Sequence, residues 1–141
     1  TKKGKGTKIM VMTEAEGVPI SLFTTSAQMA EVNTIETLVD QQVFGPTSRK
    51  LVYDKAADAD WLRNALAKRG IEQVTPHRKS RKKKALQDGR KLCGYQRRWK
   101  VERTISWIQN FRRTVVRYEQ HAHLFEGFVH LACMMIVMRK L

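Results

Sequence analysis

The fold is decided by residues 50–75, which read KLVYDKAADADWLRNALAKRGIEQVT. Residues 50–54 and 71–75 are short apolar runs of the kind that form buried strands. Between them Asp58 is placed to cap a helix and Gly70 to end it. The apolar positions of this helix are Trp61, Leu62, Ala65 and Leu66. The order strand, helix, strand predicts a parallel pair of strands joined by a crossover helix, and therefore an α/β core.

A hairpin and a further helix are predicted upstream of this core. Residues 7–13 and 19–24 are β-leaning runs, and Gly17 between them can take the positive φ of a tight turn. From Ser26 the apolar residues recur every three or four positions. This spacing predicts a helix that is capped by Ser26 and ends near Phe44.

Downstream, a basic block precedes two predicted helices. Residues 78–84 read RKSRKKK, and such a run of like charge predicts a loop over about residues 77–94. Residues 95–113 contain no Gly or Pro and predict one long helix. A second, apolar helix is predicted from about Phe125 to the C-terminus. Three of its methionines are expected to fill the core: Met134, Met135 and Met138.

Length and charge limit the class of protein. The chain has 141 residues, which predicts a single domain over residues 1–141 with one modest core. Its 27 Lys and Arg against 13 Asp and Glu give a formal charge of +14. This excess of positive charge points to nucleic acid as the partner. The hydrophobic fraction of 42% is too high for a disordered basic tail.

Compartment and membrane association follow from the apolar runs and the cysteines. The longest apolar run, residues 131–138, is far shorter than the roughly 20 residues that span a bilayer. The N-terminal residues lack a signal-peptide pattern. Cys93 and Cys133 have no spacing typical of a metal site or a disulfide framework. A cytoplasmic protein without a membrane partner is therefore expected.

Two carboxylates are candidates for catalysis. Asp54 ends a predicted strand, where α/β proteins collect catalytic groups. On the predicted long helix, four polar residues lie within about 60 degrees of one another: Tyr95, Arg98, Glu102 and Gln109. Carboxylates on a basic surface suit metal-assisted phosphoryl transfer, because they bind Mg²⁺ while cations hold the phosphodiester. The alternatives are that Asp54 only begins a turn or caps a helix, and that Glu102 forms a surface ion pair with Arg98.

The sequence around Glu102 resembles a known family. Residues 95–104, Tyr-Gln-Arg-Arg-Trp-Lys-Val-Glu-Arg-Thr, resemble the Tyr-x2-Arg-x3-Glu-x6-Lys signature of bacterial insertion-sequence transposases with an RNase H-like DDE catalytic domain. Residues 51–60 resemble the block that contains the second catalytic Asp of that family. The hairpin, residues 76–78 and the C-terminal helix fit as well, so the resemblance covers essentially the whole chain. It implies an RNase H-like mixed sheet flanked by helices.

The resemblance also implies the chemistry. Asp54 would be the second and Glu102 the third catalytic carboxylate, both binding Mg²⁺ or Mn²⁺ for DNA cleavage and strand transfer. Gln109 stands at the signature Lys, and Ala57 at a position that is usually aromatic. The family's first Asp lies on a strand upstream of the hairpin, which this chain starts too late to contain. The chain alone is therefore expected to lack the first strand and to be inactive. It is also expected to be marginally stable, to self-associate or to depend on an upstream transposase polypeptide.

DNA is the expected partner, both as transposon ends and as target, in the bacterial cytoplasm at the nucleoid. Phosphate contacts are predicted for eleven residues: Arg78, Lys79, Arg81, Lys82, Lys83, Lys84, Tyr95, Arg97, Arg98, Lys100 and Arg103. The basic block could instead be a solvated loop. Two other protein classes remain open, a non-catalytic DNA-binding transposase remnant and a structural RNA-binding protein. The RNA-binding alternative leaves the Tyr95, Arg98 and Glu102 stripe unexplained.

Overall fold

A computed structural model of the chain describes residues 6–43, 45, 48–79 and 89–140. These residues pack as two compact units. Unit 1 contains the described residues of 1–29, 37–45 and 100–141, and unit 2 those of 30–36 and 46–99. The strands are β1 (Thr7–Thr13), β2 (Pro19–Ser26), β3 (Lys50–Val52) and β4 (Glu72–Val74). The α-helices are α1 (Ile35–Asp40), α2 (Asp60–Lys68), α3 (Trp99–Gln109), α4 (Arg112–Val115) and α5 (Ala122–Met138). Three 3₁₀ helices cover Glu31–Asn33, Lys55–Ala57 and Gly89–Arg98.

In unit 1, β1 and β2 form the predicted hairpin. They pair antiparallel, with Thr7 opposite Ser26 and Met10 opposite Phe23. Gly17 lies in the connecting turn with φ of +87°, a conformation that is accessible to glycine at little steric cost. The prediction of a hairpin with a glycine turn is confirmed.

The core of unit 1 joins this hairpin to α3 and α5. It is a cluster of seven buried residues: Leu22, Ile108, Phe125, Val129, Ala132, Cys133 and Ile136. Glu126 on α5 accepts hydrogen bonds from the backbone N–H and the hydroxyl of Thr24, over 2.8 and 2.6 Å. An apolar cluster and a charged acceptor thus hold β2 against α5. The predicted C-terminal apolar helix is confirmed.

The predicted placement of the α5 methionines in the core is wrong. Met134, Met135 and Met138 are 58, 46 and 71% exposed. The helix is apolar around most of its circumference, and the hairpin and the neighbouring helices bury only one side of it. Within the described residues, no helix is both long enough and apolar enough to cross a membrane.

The predicted helix that begins at Ser26 is also wrong. Ser26 is the last residue of β2, opposite Thr7, and the next amide, that of Ala27, donates to the Gly6 carbonyl. Pairing with β1 uses the backbone groups of Ser26 and Ala27 that a helix would need there, and α1 begins at Ile35, after the 3₁₀ helix Glu31–Asn33. Phe44, the predicted end, lies outside the described residues.

The long helix predicted over residues 95–113 is instead divided into three. A 3₁₀ helix runs to Arg98, α3 ends at Gln109, and α4 begins at Arg112. The buried Thr114 hydroxyl donates to the Ile108 carbonyl over 2.6 Å. This bond satisfies a carbonyl at the end of α3 and allows the chain to turn. The first 3₁₀ residues, 89–94, belong to the range 77–94 for which a loop is predicted.

Unit 2 contains the strand, helix, strand segment. β3 and β4 pair in parallel, with Leu51 opposite Gln73, and α2 lies between them in the chain. Leu62 and Leu66 of α2 are completely buried, and the chain leaves the helix through Gly70 at φ of +74°. The predicted parallel pair and its intervening helix are confirmed.

The sheets decide the fold class. The described residues contain two separate two-stranded sheets, β1 with β2 and β3 with β4. The mixed α/β class is confirmed, and one mixed sheet flanked by helices and lacking its first strand stays a prediction. The RNase H-like fold stays a prediction, as does the single domain over residues 1–141.

Candidate active site

Asp54 lies at the carboxyl end of β3, where the sequence places it. Its backbone is extended, and its Oδ1 accepts a hydrogen bond from the Ala56 N–H over 2.7 Å. Asp54 therefore caps the 3₁₀ helix Lys55–Ala57, as the helix-capping alternative anticipates. The side chain is half-buried, so this capping bond leaves the carboxylate partly open to solvent.

Asp58 is the most buried carboxylate around this turn. Its side chain is 1% exposed and its Oδ1 forms an ion pair with Arg63 over 3.2 Å. The same oxygen lies 3.1 Å from Nδ1 of His77, and Oδ2 accepts the Arg78 N–H over 2.9 Å. The predicted helix cap at Asp58 is wrong, because Ala59 is the N-cap of α2.

The role of Asp58 had a signal in the sequence. Pro76, His77 and Arg78 follow β4 directly, and Asp58 follows β3 by a few residues. Because neighbouring parallel strands end at the same edge of a sheet, polar residues after both strands meet there. Because Asp58 was interpreted as a helix cap, its contacts with the residues that follow β4 were not predicted.

Tyr53 precedes Asp54 and carries a protonated hydroxyl in this site. Its hydroxyl donates to Oε2 of Glu31 over 3.2 Å. Burial, together with the negative charge and hydrogen bond of Glu31, raises the pKa of Tyr53 well above its usual value. The phenol therefore remains a neutral hydrogen-bond donor beside the candidate carboxylate.

Glu102 lies in the first turn of α3 with its side chain exposed, in unit 1. Tyr95 and Arg98 lie on the 3₁₀ helix Gly89–Arg98, in unit 2. The Arg98 guanidinium is 5.7 Å from the centroid of the Tyr95 ring. Residues three apart align on a 3₁₀ helix, which brings these two side chains together. The predicted polar stripe assumed α-helical spacing throughout, and that assumption fails before Trp99.

Lys100 and Arg103 contact the β1–β2 turn. Lys100 Nζ donates to the Ala15 carbonyl over 2.6 Å and pairs with Glu16 over 3.1 Å. Arg103 donates to the Glu16 carbonyl over 2.8 Å. Both residues are predicted to contact DNA, and the structure gives them contacts inside unit 1 that hold the turn.

The other predicted DNA contacts fall into three groups. Lys79 and Arg97 are exposed, as a phosphate contact requires. The guanidinium of Arg78 contacts the carbonyls of Lys55 and Ala56. The remaining members of the basic block lie outside the described residues: Arg81, Lys82, Lys83 and Lys84.

The candidate carboxylates have the right chemistry to bind a divalent cation, but there are too few of them to complete its ligand set. Carboxylate oxygens are the ligands that Mg²⁺ prefers, and Asp54 and Glu102 provide them. Among the described residues, however, no group of three or more His, Cys, Asp or Glu side chains could hold a metal ion. This part of the chain offers ligands of the right type without a full set.

Comparison with known proteins gives the family. The model of the transposase DDE domain family matches residues 1–138. A Burkholderia cepacia protein named as a transposase for insertion sequence element IS402 is 34% identical over 139 residues, which cover 93% of this chain and 62% of that relative. No solved structure matches the chain. Because the family match spans nearly the whole sequence, the chain belongs to the insertion-sequence transposases with a DDE domain.

Proposed function

We propose that this chain is the C-terminal part of a transposase catalytic domain, which cleaves transposon ends and joins them to target DNA. The observation that supports this proposal most is the family match over residues 1–138, within which Asp54 stands at the carboxyl end of a parallel strand. The chain spans 62% of the length of the IS402 relative. The remaining length can supply a further carboxylate.

Asp54 and Glu102 are the proposed metal ligands. Both side chains offer the carboxylate oxygens that hydrated divalent ions prefer. Asp54 and Glu102 would hold Mg²⁺ or Mn²⁺, which would supply activation of the attacking oxygen and charge stabilisation at the leaving oxygen. The Ala56 N–H fixes Oδ1 of Asp54, which orients this carboxylate before a metal ion binds.

The proposed DNA surface consists of cations with exposed side chains. Lys79 and Arg97 contact phosphates, as do Arg98 and Tyr95, which share the 3₁₀ helix Gly89–Arg98 with Arg97. The basic residues 81–84 add four positive charges to the sequence. A formal charge of +14 supports this role, because release of counterions from DNA contributes most of non-specific affinity. These contacts hold the DNA without reading its sequence.

A strand-nicking assay tests the proposal. The 141-residue chain is mixed with the upstream polypeptide of its transposase and with end-containing DNA, in Mg²⁺ or Mn²⁺. Nicking is expected, and Asp54→Asn or Glu102→Gln should each lower its rate by at least about 100-fold, because a metal ligand is removed. Asp40→Asn, a matched change at an exposed helix residue, should leave the rate unchanged. Full activity in the Glu102→Gln variant would contradict the assignment.

A second candidate function is a non-catalytic DNA-binding protein. It is favoured by the incomplete ligand set of the described residues. It predicts DNA binding without nicking under every condition of the same assay, and binding that Asp54→Asn and Glu102→Gln leave unchanged.

A further inference from the structure

The turn after Asp54 is held by a side chain from the segment that follows β4. Arg78 donates from Nε to the Lys55 carbonyl over 2.9 Å, and a second guanidinium nitrogen donates to the Ala56 carbonyl. The N–H of the same Ala56 donates to the Asp54 carboxylate. One guanidinium thus bridges two successive carbonyls of the turn that positions the candidate metal ligand.

The backbone of Arg78 is held as well. Oδ2 of Asp58 accepts the Arg78 N–H over 2.9 Å, and Oδ1 contacts Arg63 and His77. The Asp58 side chain is 1% exposed, and hydrogen bonds to a buried, ionised carboxylate are strong and costly to break. Arg78 is therefore fixed at both ends, its backbone by Asp58 and its guanidinium by the turn.

We propose that Arg78 is a positioning residue for Asp54, and that its guanidinium holds the 54–57 turn instead of neutralising a DNA phosphate. The inference rests on the proposed role of Asp54 as a metal ligand. In the sequence Arg78 and Lys79 are adjacent cations of one basic block. Both residues are exposed, and Arg78 is distinguished by its guanidinium, which bonds to the carbonyls of Lys55 and Ala56.

The chemistry of arginine makes this role testable. A guanidinium has several N–H donors in a fixed plane, whereas the lysine ammonium is a compact point charge. Arg78→Lys keeps the positive charge and removes the planar pair of donors. A DNA contact tolerates this change, while a bridge between two carbonyls does not.

The first experiment measures amide hydrogen exchange of the 141-residue chain by NMR, in complex with the upstream polypeptide of its transposase, and the two experiments that follow use the same complex. In Arg78→Lys the amides of Ala56 and Ala57 should exchange at least tenfold faster than in the wild type, because the turn opens more often. Lys79→Arg is the matched control, and exchange at these amides should not change. Equal exchange in Arg78→Lys and the wild type would overturn the inference.

The second experiment separates the turn from DNA binding. Lys79→Gln should reduce the slope of log K against log salt concentration for a random duplex by about 0.9, the value for one phosphate contact. Arg78→Gln should leave the slope within error of the wild type and should still accelerate exchange at Ala56. A reduced slope in Arg78→Gln would show that Arg78 contacts DNA and would overturn the proposal. Arg78→Gln also provides the exchange measurement if the lysine variant does not fold.

A third experiment, a Mn²⁺ titration followed by NMR, tests whether the turn held by Arg78 affects metal binding at Asp54. Titration of Mn²⁺ should broaden the Ala56 amide signal of the wild type, and Arg78→Lys should need several-fold more Mn²⁺ for the same broadening, at an unchanged unfolding midpoint. Equal Mn²⁺ dependence in both proteins would overturn the positioning role. If Mn²⁺ broadens neither the wild type nor Asp54→Asn, the proposed role of Asp54 fails, and the exchange data still decide whether Arg78 holds the turn.

Discussion

At the scale of single residues, Gly17 shows how a backbone conformation and a close contact act together. Its φ is +87°, and a Cβ built at this position would lie 3.0 Å from a guanidinium nitrogen of Arg103 and 3.2 Å from Oγ1 of Thr104. Thr104 Oγ1 also donates to the Gly17 carbonyl over 2.5 Å. A side chain at residue 17 would be strained and would displace the α3 residues that hold the turn.

Gly17→Ala should therefore lower the free energy of unfolding by more than about 1 kcal/mol. Gly70→Ala is the matched control, because Gly70 also has positive φ, +74°, and nothing within 4 Å of the added Cβ. It should show the backbone strain without the crowding. Urea unfolding of both variants measures the difference, and an equal decrease in both would mean that the α3 contact contributes nothing.

Cys133 gives a prediction for pH. Burial raises the pKa of its thiol from an ordinary value of 9 to about 12, because the thiolate is poorly solvated there. The unfolded chain releases the proton first as the pH rises, so the free energy of unfolding should fall between pH 9 and 12 and be unaffected by this group below pH 9.

The measurement is urea unfolding of the wild type and Cys133→Ala across this pH range. The variant should be less stable at pH 8 because the shorter side chain leaves a small cavity in the core, and its stability should fall less than that of the wild type on going to pH 11. Cys93, which is exposed, provides the control Cys93→Ala. Parallel pH profiles for the wild type and Cys133→Ala would contradict the raised pKa.

The site residues show what a sequence can indicate at this scale. Asp54 was predictable, because the end of a strand can be read from a local apolar run. Asp58 was harder to assign, since its partners are Arg63 on α2 and His77 and Arg78 after β4, up to 20 residues further along the chain. The role of a buried carboxylate depends on which residues the fold brings to it.

At the scale of elements, the correctly predicted helices and strands are those whose sequence signals lie within one continuous segment. The β1–β2 hairpin and the β3–α2–β4 unit are recognisable from apolar runs and turn glycines. The helix predicted from Ser26 fails because pairing with β1 extends β2. The helix predicted over residues 95–113 fails because a side chain from residue 114 bonds to the end of α3. The spacing of apolar residues along a helix does not reveal either of these two contacts.

Thr114→Val tests the second of these contacts. The Thr114 hydroxyl donates to the carbonyls of Ile108 and Phe111 over 2.6 and 2.8 Å and is buried. The variant removes that donor while the backbone N–H groups of Phe111 and Thr114 still bond to these two carbonyls, so the free energy of unfolding should fall by about 0.5–1.5 kcal/mol. Thr37→Val on the exposed side of α1 should change it by less than about 0.5 kcal/mol. An unchanged stability in Thr114→Val would show that α3 ends for another reason.

The basic block gives a prediction about DNA affinity. Replacing Arg81, Lys82, Lys83 and Lys84 with Gln should weaken binding to all duplex sequences alike and flatten the salt dependence, by about 0.9 in slope for each phosphate that the block neutralises. Salt titrations with a random duplex and an end-containing duplex measure both effects. An unchanged slope would mean that the block is solvated surface.

At the scale of the whole molecule, the catalytic proposal depends on an arrangement that local sequence does not specify. Asp54 belongs to unit 2 and Glu102 to unit 1. Their proposed shared role as metal ligands rests on the family match, which covers residues 1–138. The spacing of the motif residues identifies candidate ligands such as Asp54 and Glu102. Whether two such residues meet depends on contacts between segments that are distant in sequence.

Two further features of the whole chain bear on its self-association, the exposed apolar side of α5 and the small size of the two sheets. Along α5 an exposed stripe recurs at helical spacing: Leu124, Leu131, Met134, Met135 and Met138, each 46–71% exposed. Each described sheet has only two strands, and two-stranded sheets are marginally stable and offer unpaired edges. These features predict that the 141-residue chain self-associates when it is alone, and that the upstream polypeptide, through strand pairing and apolar contact, suppresses this association.

Sedimentation velocity at micromolar concentrations tests the last prediction. The chain alone should sediment as a concentration-dependent mixture of species, and Leu131→Gln should shift it toward monomer, because one exposed apolar side chain is removed from the stripe. Asp40→Asn on α1 provides a control with no apolar change. Addition of the upstream polypeptide should give one complex of defined mass and raise the unfolding midpoint, since a partner that binds only the folded state stabilises it by mass action. A monomeric chain whose unfolding midpoint the added polypeptide leaves unchanged would show that the chain needs no strand from outside.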